Sequence, residues 1–138
     1  MNRDELGLDE RGSVTVFVVG VLLALMVVAG LVFDGGSIIA GHREADAEAQ
    51  GAARAAADQI ATISLHSGNL AIDPAAARAA VDTYLAPYHH TGTITVNADN
   101  VTVIVTFPVA MQVLSIVGVD SKTVTGTGSA TAIEGGVP

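Results

Sequence analysis

Cysteine and tryptophan are absent from this 138-residue chain, and it holds only two Tyr and three Phe. Without Cys neither a disulfide nor a thiolate metal site can form, and the redox compartment cannot be read from that absence. So few rings argue against a ligand pocket with aromatic walls. Basic residues are scarce too, six Lys and Arg against fourteen Asp and Glu, for a formal net charge of −8. Those six are scattered, whereas phosphate binding needs clustered cations, which argues against DNA or RNA as a partner. No local pattern supplies a nucleophile, a base and an orienting group, and Ser and Thr sit where strand propensity explains them. Gly126-x-Gly128 lacks the third glycine and the following helix of a dinucleotide loop. The chain reads as a non-enzyme without a cofactor.

What is present is one long uncharged run, Ser13 to Phe33, with eight Val, four Leu and two Phe. As a helix, roughly 21 residues reach about 31 Å, the thickness of a bilayer's hydrocarbon core. Val, Leu and Phe at roughly −0.3 to −0.6 kcal/mol each give an insertion free energy on the order of −4 to −8 kcal/mol. A secretory signal would be shorter, follow a basic start and end at a small-x-small site, whereas this run follows an acidic start and exits into Phe33-Asp34. A core helix would show a polar stripe, and the run has none. The expected division is a leader over 1–12, a transmembrane helix over 13–33 and one small domain over 34–138. Arg3 and Arg11 precede the span, while Arg43 and Arg54 lie about ten and twenty residues beyond it, which favours a cytoplasmic N-terminus and an extracytoplasmic domain.

The glycines of Asp34-Gly35-Gly36-Ser37 predict a kink at the membrane exit, with Asp34 reaching interfacial water. Beyond them, Ile38 to Leu65 is rich in Ala, Glu, Gln and Arg and free of Pro, so the anchor helix is expected to continue. His42 with Asp46, Gln50 with Arg54, and Arg54 with Asp58 fall at i,i+4. Ala45, Ala49, Ala52 and Ala56 form a face of small residues suited to close packing with neighbouring helices, and Gly20 and Ala24 form a small pair inside the span. His66 to Asn69 reads as a turn, and Asp73-Pro74 opens a second helix to about Leu85. Thr93 to Val96 and Val101 to Phe107 alternate as a hairpin about Asn97 to Asn100, with the Val face buried. Pro108 is expected to end the second strand, and Val109 to Val119 to form an apolar connection, either a short crossover helix buried on the sheet, which is the preferred reading, or a surface that dips against lipid. A last strand, Thr123 to Ile133, offers Gly126, Gly128, Ala130 and Ala132 as a floor on which an Ala-faced helix fits, and the tail after it is expected to be loose. The fold class is α+β: a long N-terminal helix, a short second helix and a small antiparallel sheet.

Among polar groups, His89 and His90 are the candidates for a metal, with Asp82 or Asp99 as partners, although adjacent loop histidines are usually solvated. On that basis one rival reading is a membrane-tethered protein that captures an extracellular ligand or ion. Glu44, Asp46 and Glu48 read as a solvated acidic face or a calcium site, and Asn100-Val101-Thr102 matches a glycosylation sequon.

The order of parts is the layout of pilins and pseudopilins. More narrowly, Arg11-Gly12-Ser13-Val14 entering the span, Asp34-x-Gly36 leaving it, Arg43 two turns on and the run Ala45 to Ala57 resemble TadE/TadG-like proteins of tight-adherence (Flp) pilus assembly. The resemblance covers Arg11 to about Ala57. It implies a pilin-like, envelope-anchored, non-catalytic pilus component whose partners are the membrane and other pilus subunits. In pilin-like members a prepilin peptidase cuts after a Gly before the span, here Gly12, leaving Ser13 first; such a processed minor pilin would belong to a cell-surface pilus. Those members carry Glu at the fifth mature position, where this chain has Phe17. Members that stay anchored often lack that acid, as this chain does.

Overall fold

In the computed structural model, residues 8–59 and 71–133 are described. The leader up to residue 7, the end of the expected helix from Ile60 to Leu65, the proposed turn at His66 to Asn69, and the tail from Glu134 lie outside them.

Helix α1 runs from Leu8 to Ala57, about 75 Å of continuous helix. No proline interrupts it, and the helix continues unbroken through Gly35-Gly36. Nothing stands within 4 Å of where a Cβ would be on either glycine, so they weaken the helix by propensity alone. The turns on both sides of them are held by the rest of the domain, as described below. The described helix stops at Ala57, earlier than composition suggests, with Asp58 and Gln59 bonding back to Arg54 and Ala56.

Helix α2, Pro74–Leu85, begins as expected: Asp73 Oδ1 accepts from the N–H of Ala75 and Ala76 at 2.9 and 3.2 Å, and Pro74 occupies the first turn. Ala77, Val81 and Leu85, four residues apart, form its buried edge. A one-turn 3-10 helix, Ala86–Tyr88, follows and ends at His89, whose φ of 57° turns the chain into the sheet.

Three strands, β1 (Thr91–Asn97), β2 (Asn100–Ala110) and β3 (Ser121–Thr131), pair antiparallel in the order β1-β2-β3. Val96 stands opposite Val101 and Ile94 opposite Val103 in the first pair. Val103 stands opposite Gly128 and Val105 opposite Gly126 in the second. Pro108 does not end β2. The Thr106 carbonyl accepts from the Thr91 hydroxyl, so Thr106 faces β1, and Pro108 two residues later faces the same side, where β1 has already ended. Its missing N–H therefore removes no ladder bond. Because β3 returns directly beside β2, the connection 111–120 needs no crossover and does not cover the sheet.

Both helices lie on one face of the sheet, and the core between the layers consists of Ile94, Val101, Val103, Val105, Phe107 and Val124 against the buried Ala residues of α1 and the apolar edge of α2. The other face shows Thr93, Thr95, Thr125, Thr127 and Thr131 to solvent. Along α1, Gly41 meets Val109 and Val124, Ala45 meets Gly126, and Ala49 meets Gly128. Four helical residues rise about 6 Å and two strand residues about 6.7 Å, so the two repeats keep step. At Gly126 and Gly128 the helix backbone itself occupies the space a Cβ would need, which explains why the strand carries glycine there despite its poor strand propensity.

Candidate functional site

Two features of α1 stand out, an apolar half that the domain leaves bare and a polar clamp where that half ends. Between Val14 and Phe33 the large apolar side chains are exposed, Met26 at 73 % and Val32 at 72 % among them. A contiguous apolar surface of this extent marks a lipid or protein contact, and this is the one described helix long and apolar enough to cross a membrane. Gly20 and Ala24 lie on this bare surface, with nothing within 4 Å of the Gly20 Cβ position. Among the residues from Gly12 onward the first that is buried is Gly30, on which the side chain of Val113 rests.

One turn further on, Asp34 is fully buried. Its Oδ1 accepts from the N–H of Gln112 at 2.8 Å and of Val113 at 3.3 Å, and its Oδ2 from Val113 at 3.0 Å and Leu114 at 2.7 Å. Those amides open the short 3-10 helix Leu114–Val117, so Asp34 caps an element about eighty residues away in sequence. The Leu114 N–H is the main cause holding the carboxyl below the usual carboxylate range; burial pushes upward, and the Gln112 and Val113 N–H groups lower it further. The interfacial water expected for Asp34 is replaced by backbone donors. Gly36 and Arg43, the other residues of the Asp-x-Gly and Arg pattern, are exposed.

Further along, Ala45, Ala49, Ala52 and Ala56 are all 0 % exposed. The small face that sequence offers to neighbouring helices is thus filled by the chain's own sheet and by α2, since Gly126 and Gly128 present a matching floor. Of the expected i,i+4 pairs, His42 and Asp46 turn to β3: His42 Nδ1 contacts the Thr125 carbonyl oxygen at 3.1 Å, and Asp46 accepts from the Thr127 N–H at 3.1 Å. Side chains from α1 thereby satisfy part of the outer edge of β3, the kind of cover that protects an edge strand.

His89 and His90 border one open cleft but have different surroundings. His89 is exposed at the chain reversal, whereas His90 stacks on Phe107 with ring centroids 3.8 Å apart and its Nδ1 2.8 Å from Glu48 Oε2. Glu48 is buried, with Oε1 lacking a partner. Glu44, Asp46 and Glu48 accordingly do not form an acidic patch: Asp46 serves β3, Glu48 points inward and Glu44 is exposed. Residues two apart lie about 200° apart around a helix, so the three cannot converge on one ion. Asp82 borders the same open cleft as the histidines, while Asp99 sits at the far end of β1, roughly 20 Å or more away at strand spacing. Among the described residues no group of three His, Asp or Glu is placed to hold a metal ion.

The match with known proteins falls on the exposed span, the Asp34 clamp and the docked Ala face. Residues 12–59 match the family described as putative Flp pilus-assembly TadE/G-like. The matched segment is most of α1, roughly a third of the chain, and agrees with the resemblance carried by Arg11 to Ala57. No curated protein and no solved structure matches the chain. The match over this segment supports a role in pilus assembly. The segment's apolar half suits single-pass anchoring. Sequence reasoning missed Gly30, Gly41 and Gly51, which receive Val113, Val109 and Tyr84, and it missed the inward turn of Glu48. Their spacing in steps of three and four with Asp34 and Ala45 was a legible signal.

Proposed function

We propose that this chain is a membrane-anchored, non-catalytic component of Flp-type pilus biogenesis, with residues 13–33 in the bilayer, a short cytoplasmic leader and the α+β domain outside the cytoplasm. The observation that carries this reading is the division of the TadE/G-like segment into a bare apolar half and a half docked as the spine of a domain. The family supplies the pilus; the bare half supplies the bilayer. Its partners are other pilus subunits, which contact the anchor through Gly20 and Ala24, since Ala45, Ala49, Ala52 and Ala56 are already occupied. Phe17 at the position of the filament subunits' acid supports an assembly factor that remains in the membrane.

Intact mass, measured separately in the membrane fraction and in material sheared from the cell surface, tests this. A full-length mass confined to the membrane is expected. A mass beginning at Ser13 in the sheared fraction would show cleavage after Gly12 by prepilin peptidase and make the chain a minor pilin instead. Recovery in the soluble fraction would end both readings.

A further inference from the structure

The connection between β2 and β3 is built around a loop that carries no charge from Met111 to Val119, yet it turns three of its aliphatic side chains outward. Ile116 is 82 % exposed, Val117 74 % and Val119 44 %. The loop itself is well held. The Met111 N–H bonds the Asp120 carbonyl at 2.9 Å and the Val119 N–H bonds the Leu114 carbonyl at 3.0 Å. Gly118, at φ 89°, turns the chain back. Asp34 holds the amides of Gln112 to Leu114, and Val113 rests on Gly30.

Its position follows from the register of α1 on the sheet. Gly41, Ala45 and Ala49 meet residues progressively further along β3, so β3 runs away from the span and the loop before it lies at the end of the domain nearest the span. Gly30 is one turn closer to the bilayer than Asp34, about 6 Å, and inside the apolar run. Leu31 and Phe33 beside it are 56 % and 61 % exposed. The loop's bare aliphatics therefore continue the apolar surface of the anchor, and the first charges after them, Asp120 and Lys122, stand at its base.

We propose that this loop is a second membrane contact, with Ile116, Val117 and Val119 seated in the interfacial layer of the bilayer on the domain's side. The inference rests on the reading that α1 spans the bilayer. A single helix leaves a domain free to tilt against the bilayer. A second contact, joined rigidly to the first through Asp34 and Gly30, restrains that tilt, and so sets the inclination at which the domain stands above the membrane.

The full-length chain has no native Cys, so single cysteines at Leu22, Val117 and Thr95 can each carry an environment-sensitive fluorophore in phosphatidylcholine–phosphatidylglycerol vesicles. Lipids bearing nitroxides along the acyl chain and aqueous iodide serve as quenchers. The Leu22→Cys and Val117→Cys labels are expected to be dimmed about two-fold or more by the nitroxide lipids and shielded from iodide, as for buried interfacial groups, with Thr95→Cys behaving oppositely. Adding Ile116→Asp to Val117→Cys should expose that label to iodide while Leu22 stays shielded. A Val117 label open to iodide beside a lipid-quenched Leu22 label would overturn the inference and leave the anchor standing. A Val117 label shielded from both quenchers would mean a protein surface covers the loop, and would equally overturn it. A Leu22 label that nitroxide lipids do not quench would overturn anchor and inference together.

Discussion

Asp34 concentrates several roles in one side chain, because a carboxylate offers acceptors on both oxygens and the opening amides of a 3-10 helix have no partners of their own. Its charge is needed for that. With its folded pKa below the ordinary value of about 3.9, the ionised form is favoured on folding, so the clamp contributes in full above that value and weakens as pH falls through the lowered one. Asp34→Asn is expected to speed hydrogen exchange at the amides of Gln112 to Leu114 by about ten-fold or more, since hydrogen bonds to a charged acceptor are stronger than those to an amide. That exchange should also lose its acid sensitivity between pH 5 and the folded pKa. Gly126 and Gly128 are the complementary case, where the absence of a side chain matters. Gly126→Val or Gly128→Val sets a side chain against the backbone of α1 at Ala45 or Ala49, and urea denaturation in detergent should show a loss of about 3 kcal/mol or more, the upper range of overpacking. These glycines and the Ala face were legible from sequence as two small surfaces that fit. Asp34 was legible as an acid at the end of an apolar run and as part of the Asp34-x-Gly36 pattern, but not as a clamp, because its partners are backbone amides, which no sequence pattern displays.

Among the elements, α1 shows how docking overrides propensity. Gly35-Gly36 costs about 2 kcal/mol relative to two alanines, yet the helix passes through, held by the Asp34 clamp before the pair and by the packing of Ile38 and Gly41 after it. Since no atom lies near either Cβ position, Gly35→Ala and Gly36→Ala should each stabilise the helix by about 0.5 to 1 kcal/mol. Slower amide exchange over residues 34–40 would register it, and unchanged exchange would show that the pair is already rigid for another reason. The sheet illustrates the reverse limit of sequence reading. Alternation of Val and Thr located β1 and β2, but the behaviour of Pro108 depended on where β1 stops. The connection after it looked like a buried crossover because its residues are apolar, and only the adjacency of β3 to β2 removed the need for one.

For the whole molecule, the bare anchor and the closed domain divide the work. The domain's small-residue surfaces are consumed internally, which leaves Gly20 and Ala24 as the close-approach positions for a neighbouring anchor in the proposed assembly. Gly20→Leu with Ala24→Leu is then expected to reduce crosslinking between anchors several-fold while the level of membrane-bound protein is unchanged, in keeping with contacts that depend on close helix approach. Unaltered crosslinking would remove these residues from the interface. Composition and periodicity by themselves determined that the chain has one apolar helix of bilayer length, that this helix continues into a surface of alanines, and that a Val/Thr hairpin and a glycine-bearing strand follow. Those properties are written in the local order of side chains, through hydrocarbon burial and backbone propensity. Tertiary structure alone decided which small surfaces meet, that Glu48 turns inward to His90 while Asp46 faces β3, and that Asp34 fastens the loop of Ile116 and Val117 beside the anchor. Each of those outcomes depends on where distant segments of the chain come together in space, which no local pattern encodes.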